Sequence, residues 1–159
     1  MKQYLELINE PWGKMFYDII NHQLNLNNSK DLKVLDFGSG FGKTANSFAQ
    51  FNIVTAIERN EEMVQNRFNN YDYEQIIADE KMLEQLPKNY YDLIICHNVL
   101  EYIDDYQKVC RIFSTLIKKD GLISIVKHNL NGTVLHNAIL LDNPKKALDI
   151  FKSPIVKLS

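Results

Sequence analysis

The chain has 159 residues, 45% of them hydrophobic, enough for one domain with a substantial core and too few for two ordinary ones. Its formal net charge of -2 supplies no global basic field, so tight non-specific adhesion to nucleic acid or to an anionic membrane is not expected. The longest apolar runs, residues 93–96 and 121–126, fall far short of the roughly 18–20 residues that span a bilayer; with no secretory hydrophobic core near the start, a soluble cytoplasmic protein is expected.

Between residues 13 and 26, Met15, Phe16, Ile19, Ile20 and Leu24 recur at helical spacing before a polar break at 25–30, which predicts a leading helix outside any sheet. Residues 33–37 form a short apolar strand running into Gly38-Ser39-Gly40-Phe41-Gly42, after which Ala45, Phe48 and Ala49 mark a helical face. Residues 53–57 read as a second strand, and Asn60 is placed to cap a helix carrying Met63, Val64, Arg67 and Phe68. A third strand is expected over 73–78, then a short helix or loop over 79–86 that Pro87 stops. The apolar run 91–96 is a fourth strand. Asp104 or Asp105 then caps a helix whose face is Tyr106, Val109, Cys110, Phe113, Leu116 and Ile117, and the turn Lys118-Lys119-Asp120-Gly121 leads into a fifth strand over 122–127.

Apolar strands alternating with amphipathic helices predict a parallel sheet covered on both faces, a doubly wound, Rossmann-like α/β domain. Three segments follow: a helical lid segment over 1–30, a ligand-binding core over 31–129, and a helical segment with a tail over 130–159. Cys96 and Cys110 fall on apolar faces and read as reduced core thiols. His22, His97, His128 and His136 have no metal-ligand spacing to cysteines or carboxylates, and no metal is expected.

In an open parallel sheet, ligands bind at the carboxyl ends of the strands where strand order reverses, which is where the glycine turn sits. Three ligand patterns compete for it. The dinucleotide pattern G-x-G-x-x-G meets Lys43 where its third small residue belongs, and the phosphate-loop pattern fits Gly42-Lys43-Thr44 but meets Phe37 where it needs glycine. An acid followed by G-x-G-x-G is satisfied in full by residues 36–42. A carboxylate at Asp36 suits a ligand carrying an amino group and a sulfonium better than a polyphosphate.

Val34-Leu35-Asp36-Phe37-Gly38-Ser39-Gly40-Phe41-Gly42 resembles motif I of the class I S-adenosylmethionine-dependent methyltransferases, and further segments up to residue 129 resemble that family in order and interval. The resemblance implies S-adenosylmethionine as cofactor. It implies that Asp36, Gly38 and Gly40 meet the cofactor and that Glu58, ending the second strand, binds both ribose hydroxyls. Asp79 would meet the adenine, with Arg59 stacked over it or solvated. His97, in a segment beside the transferred methyl, is the first candidate for a catalytic base or a structural histidine; His128 and Asn129 are candidates for the acceptor pocket. Structural alternatives stand beside these roles: Asp36 bonding loop amides, Asp79-Glu80 simply opening a helix. The aromatic cluster around Trp12, Phe16 and Tyr17 either closes as a lid, with Lys14 on the methionine carboxylate, or packs as a plain amphipathic helix.

The acceptor is read as a small molecule or a modified uridine of tRNA. Residues 129–137 resemble the matching segment of bacterial enzymes that methyl-esterify carboxymethoxyuridine at the tRNA wobble position, yet Lys145, Lys146, Lys152 and Lys157 are interrupted by Asp142 and Asp149 and make no dense basic patch. The family's usual antiparallel strand pair after strand five has no counterpart before Ser159. A partial chain is therefore expected, one that self-associates through an apolar strand-five edge or folds its tail back over it.

Overall fold

A computed structural model describes residues 2–24, 29–127 and 129–152, without the side chains of residues 2–4 and 12. Five parallel strands, β1 (Lys33–Phe37), β2 (Ile53–Glu58), β3 (Glu74–Ile77), β4 (Tyr91–His97) and β5 (Ile117–Val126), lie in the order β3-β2-β1-β4-β5. The chain runs outward from β1 to β3 and then returns to place β4 on the other side of β1, so strand order reverses between β1 and β4. The doubly wound α/β expectation describes this sheet.

Side chains alternate across a strand, and β1 shows both faces of the core. Leu35 and Phe37 join Phe113 and Leu116 of α5 (Tyr106–Leu116) on one face; Val34 joins Val54, Ile95 and Ala45 of α3 (Lys43–Ala49) on the other. Asp36 shares the parity of Val34 and is carried into the second layer, where it is 4% exposed. Cys96 is buried, and both cysteines are free.

Several local expectations need correction. The expected leading helix is α2 (Pro11–Leu24), opened by Pro11 at a helix start, where its missing N–H costs nothing, and a further helix, α1 (Lys2–Asn9), precedes it without having been expected. Asn60 caps α4 (Glu61–Gln65), accepting from the Met63 N–H at 3.0 Å, but the helix ends before Arg67; the Phe68 N–H donates to the Phe41 carbonyl at 2.8 Å, a tertiary bond that ends the local periodicity. Asp105, not Asp104, caps α5, through the Lys108 N–H at 2.9 Å. Residues 118–121 do not form a separate turn; they bulge inside β5, whose register jumps from Tyr91 opposite Ile117 to Leu93 opposite Leu122. Lys118 Nζ, 2.6 Å from Asp92 Oδ1, anchors that bulge to β4.

After β5 come α6 (Leu130–Leu135), a π-helical turn over His136–Leu140, and α7 (Pro144–Lys152). Among the described residues β5 is an edge strand, with Leu122 and Ile125 45% and 43% exposed. The expected folding back of the tail concerns residues 153–159, outside the described residues. None of the described helices is long and apolar enough to cross a membrane.

Candidate active site

The glycine turn leaves the carboxyl end of β1 and is tied to β2 by backbone bonds: the Gly38 and Ser39 N–H groups both donate to the Ile57 carbonyl, at 2.8 and 3.0 Å. Gly38 and Gly40 have φ of 76° and 56°, the left-handed region that favours glycine. A Cβ on Gly38 would collide with Val99. A Cβ on Gly40 would enter open space, its nearest neighbour being Met63 Sδ at 3.9 Å. The first glycine is thus required by packing, and the second leaves room beside the loop.

That room is a cleft of about 810 Å³ at the carboxyl ends of the strands, where order reverses. Gly38, Gly40, Glu58, Arg59, Asp79 and His97 all line it. Glu58 is buried; its Oε2 accepts from the Gly40 N–H at 2.9 Å and its Oε1 from the Asn60 N–H at 2.8 Å. A carboxylate has about four lone-pair positions, so it can fix the loop and still accept from two ligand hydroxyls. Asp79 caps the 3-10 helix Glu80–Gln85 through the Lys81 N–H at 3.0 Å, and Arg59 is exposed at the cleft wall.

Asp36 does not line the large cleft. It lines a chamber of about 40 Å³ that shares Gly38, Gly40, His97 and Asn98 with the cleft and adds Ser39, Lys43 and Thr44. Asp36 Oδ2, Ser39 Oγ and His97 Nδ1 are buried there without a hydrogen-bond partner among the described residues. Buried polar atoms are normally paired, so three of them around one chamber mark a place for a polar ligand group. Burial pushes the Asp36 carboxyl up to about 7, with the charge of Glu58 adding to the rise and the Ala45 backbone N–H opposing it. His97 Nε2 lies 2.8 Å from Ser124 Oγ, and burial holds the ring down to about 4, so it is neutral at physiological pH.

The two N-terminal helices complete the cleft. Leu7, Ile8, Gly13, Phe16 and Tyr17 line it, and Phe16 and Tyr17 meet edge to face with centroids 5.5 Å apart. Here the aromatic segment lies over the site; the side chain of Trp12 lies outside the described residues. Lys14 is exposed and lines a shallow groove on the outer side of α2 with Met15, Ile19 and His22. The cation lining the chamber is Lys43, which entered the sequence analysis only through the dinucleotide pattern it breaks and the phosphate-loop pattern it fits. Asn129 caps α6 through the Asn131 N–H at 2.9 Å and is not a cleft residue, while His128 lies outside the described residues. Met63, Asn98, Val99, Tyr102 and Ile103 also line the cleft and were not singled out. Asn98 had a signal: it is a residue type that tolerates the left-handed region, and it stands there with φ 56°. No group of three or more His, Cys, Asp or Glu side chains among the described residues is placed to hold a metal.

A family model described as a methyltransferase domain matches residues 28–152. The chain is 31% identical over 101 residues to the ubiquinone biosynthesis O-methyltransferase of Colwellia psychrerythraea, covering 58% of this chain and 40% of that protein. Among solved structures it is similar to a putative methyltransferase from an antibiotic biosynthesis pathway of Anabaena variabilis, with a TM-score of 0.62 and 24% identity over 72% of this chain and 47% of that one. It is also similar to a coclaurine N-methyltransferase bound to N-methylheliamine and S-adenosylhomocysteine, with a TM-score of 0.59 and 25% identity over 70% of this chain and 34% of that one. The chain thus spans half or less of the length of each of these proteins. The particular likeness to tRNA wobble enzymes is not among these similarities.

Proposed function

The chain belongs to the methyltransferase-domain family, whose model matches residues 28–152, and from that premise we propose that its cleft binds S-adenosylmethionine and presents the methyl group to an acceptor beneath the N-terminal helices. The observation that carries this reading is the convergence of Gly40, Glu58, Asp79 and His97 on one cleft where strand order reverses. Bound there, the cofactor would supply an activated methyl on a sulfonium, chemistry that asks the protein chiefly for alignment. Glu58 accepts from the ribose hydroxyls with its free lone pairs. Asp79 and Arg59 stand at the adenine end, and Asp36 offers its unpartnered oxygen to the ammonium.

The protein's work is then to hold donor and acceptor in line and to exclude water, which Phe16 and Tyr17 do from above. His97, neutral and with an unpartnered Nδ1, accepts a hydrogen bond from an acceptor hydroxyl or amine. With its conjugate acid held near 4 it orients such a group better than it deprotonates it.

A small-molecule acceptor is favoured by the apolar and aromatic lining of Leu7, Phe16, Tyr17, Tyr102 and Ile103; Arg59 is the one lysine or arginine lining the cleft among the described residues, too few cations for a nucleic-acid backbone. A modified tRNA uridine rests on the resemblance of residues 129–137 alone. Methyl transfer to a metabolite extract but not to bulk tRNA is the expected outcome.

Calorimetry with S-adenosylhomocysteine, ATP and NAD tests the cofactor. We expect micromolar binding of the sulfur nucleoside only; a chain that binds ATP and no sulfur nucleoside refutes the proposal. The same titration carries a pH prediction. Asp36 rises from 3.8 to about 7 on folding, so the unliganded fold takes up a proton in that window and loses stability as pH climbs through it. A ligand ammonium needs the ionised carboxylate, so affinity should tighten by more than about tenfold between about pH 5.5 and about pH 7.5. A flat profile would mean that Asp36 does not meet the ligand.

Self-association through the edge of β5 is part of the same proposal. Among the described residues no strand pairs its outer edge, and with exposed Leu122 and Ile125 that edge suits antiparallel pairing with a second copy. Light scattering should show a dimer that Ile125→Lys dissociates, and a wild-type monomer would discard the idea.

A further inference from the structure

Lys43 opens α3 immediately after the glycine turn and is half-buried. Its ammonium donates to the Ile8 carbonyl of α1 at 2.5 Å and lies 4.5 Å from the centroid of the Tyr17 ring of α2. Both partners are neutral, and no carboxylate among the described residues is within ion-pair distance of it. Burial, and then the charge of Lys14, press its pKa downward while Asp18 opposes them, which marks an ammonium short of negative charge.

Across the same chamber stands Asp36, 4% exposed and with Oδ2 unpartnered, beside the unpartnered Ser39 Oγ. A lone phosphate there would be drawn by Lys43 and repelled by Asp36; a lone amine would meet the reverse. An α-amino acid group satisfies both at once, ammonium toward Asp36 and carboxylate toward Lys43, with Ser39 free to donate to the carboxylate. We propose that Lys43 is the counter-ion of the cofactor's α-carboxylate, so that Asp36 and Lys43 read the amino-acid end of S-adenosylmethionine as a zwitterion. This rests on the cofactor reading above. Because the other partners of Lys43 belong to α1 and α2, the same side chain links an occupied chamber to the helices that cover the cleft.

The test compares S-adenosylhomocysteine with methylthioadenosine, the thioether nucleoside that lacks the amino-acid group, by calorimetry on the full chain. Wild type should prefer S-adenosylhomocysteine. Lys43→Met should weaken that ligand about tenfold and leave methylthioadenosine unchanged, and Lys43→Arg should recover part of the preference. Equal losses for both ligands, with a lowered melting temperature, would reduce Lys43 to a structural tie between helices and overturn the proposal, as would unchanged binding of S-adenosylhomocysteine in a folded Lys43→Met protein. If Lys43→Met does not fold, the Lys43→Arg and Lys43→Gln proteins decide by the same ratio of the two ligands. Wild type binding neither nucleoside would refute the cofactor reading itself.

Discussion

Gly40→Val is expected to abolish measurable binding of S-adenosylhomocysteine, a loss of at least about a hundredfold, while most of the fold survives. Gly40 stands at φ 56°, where a β-branched residue is strained by roughly 1–3 kcal/mol. Its Cβ would project into the cleft beside Met63 and not into packed protein, so the branched side chain fills space the ligand needs. If the loop relaxes to relieve the strain, the Gly40 N–H moves from Glu58 Oε2 and the carboxylate loses an anchor. Gly40→Ala meets the same left-handed penalty with less bulk and should bind weakly but measurably. Affinity and melting temperature measured together separate the two effects: lost binding with a small thermal shift supports the assignment, and retained binding in Gly40→Val places the ligand elsewhere.

Gly40 also shows what was legible in the sequence. The strand 33–37, the spaced glycines and the carboxylates at 36 and 58 are local patterns with a physical reason, and the structure brings Asp36, Gly38, Gly40 and Glu58 to one site region, while Gly42 packs against Tyr73 instead. The same holds for the alternation that gave the sheet, since an apolar run bounded by turn residues needs no tertiary information. What failed depended on partners distant in the chain. Phe68 leaves its helix for the Phe41 carbonyl, and residues 118–121 join β5 because Asp92 holds Lys118. Lys14 and Lys43 show the same limit within the site. Both are cations near aromatic or glycine-rich segments, and only the crossing of α1 and α2 over the chamber turns Lys43 toward Ile8 and leaves Lys14 exposed. Asn98 enters its left-handed conformation where its N–H meets the Val126 carbonyl at 2.8 Å, a β4–β5 contact that no local pattern reports.

Glu58→Ala should cost binding and stability together, because one carboxylate serves the loop and the ligand. Its removal leaves the Gly40 and Asn60 N–H groups without their acceptor, and losing hydrogen bonds to a charged group costs about 1–3 kcal/mol each. The ribose loses a charged acceptor as well, so S-adenosylhomocysteine affinity should fall by about ten- to a hundredfold, with a lower melting temperature in the unliganded chain. Glu58→Gln separates the parts: its amide keeps one acceptor oxygen and places a donor against whichever backbone N–H the other oxygen served, so the stability loss should be smaller while ribose recognition still suffers. The neighbouring acid supplies an independent check. The charge of Glu58 contributes to the raised pKa of Asp36, so removing it should lower that pKa and move the pH-dependent tightening of the ligand toward lower pH. An alanine variant that binds S-adenosylhomocysteine as tightly as wild type would show that the ribose does not lie against Glu58; one that weakens binding without moving the pH profile would show that Asp36 titrates independently of it.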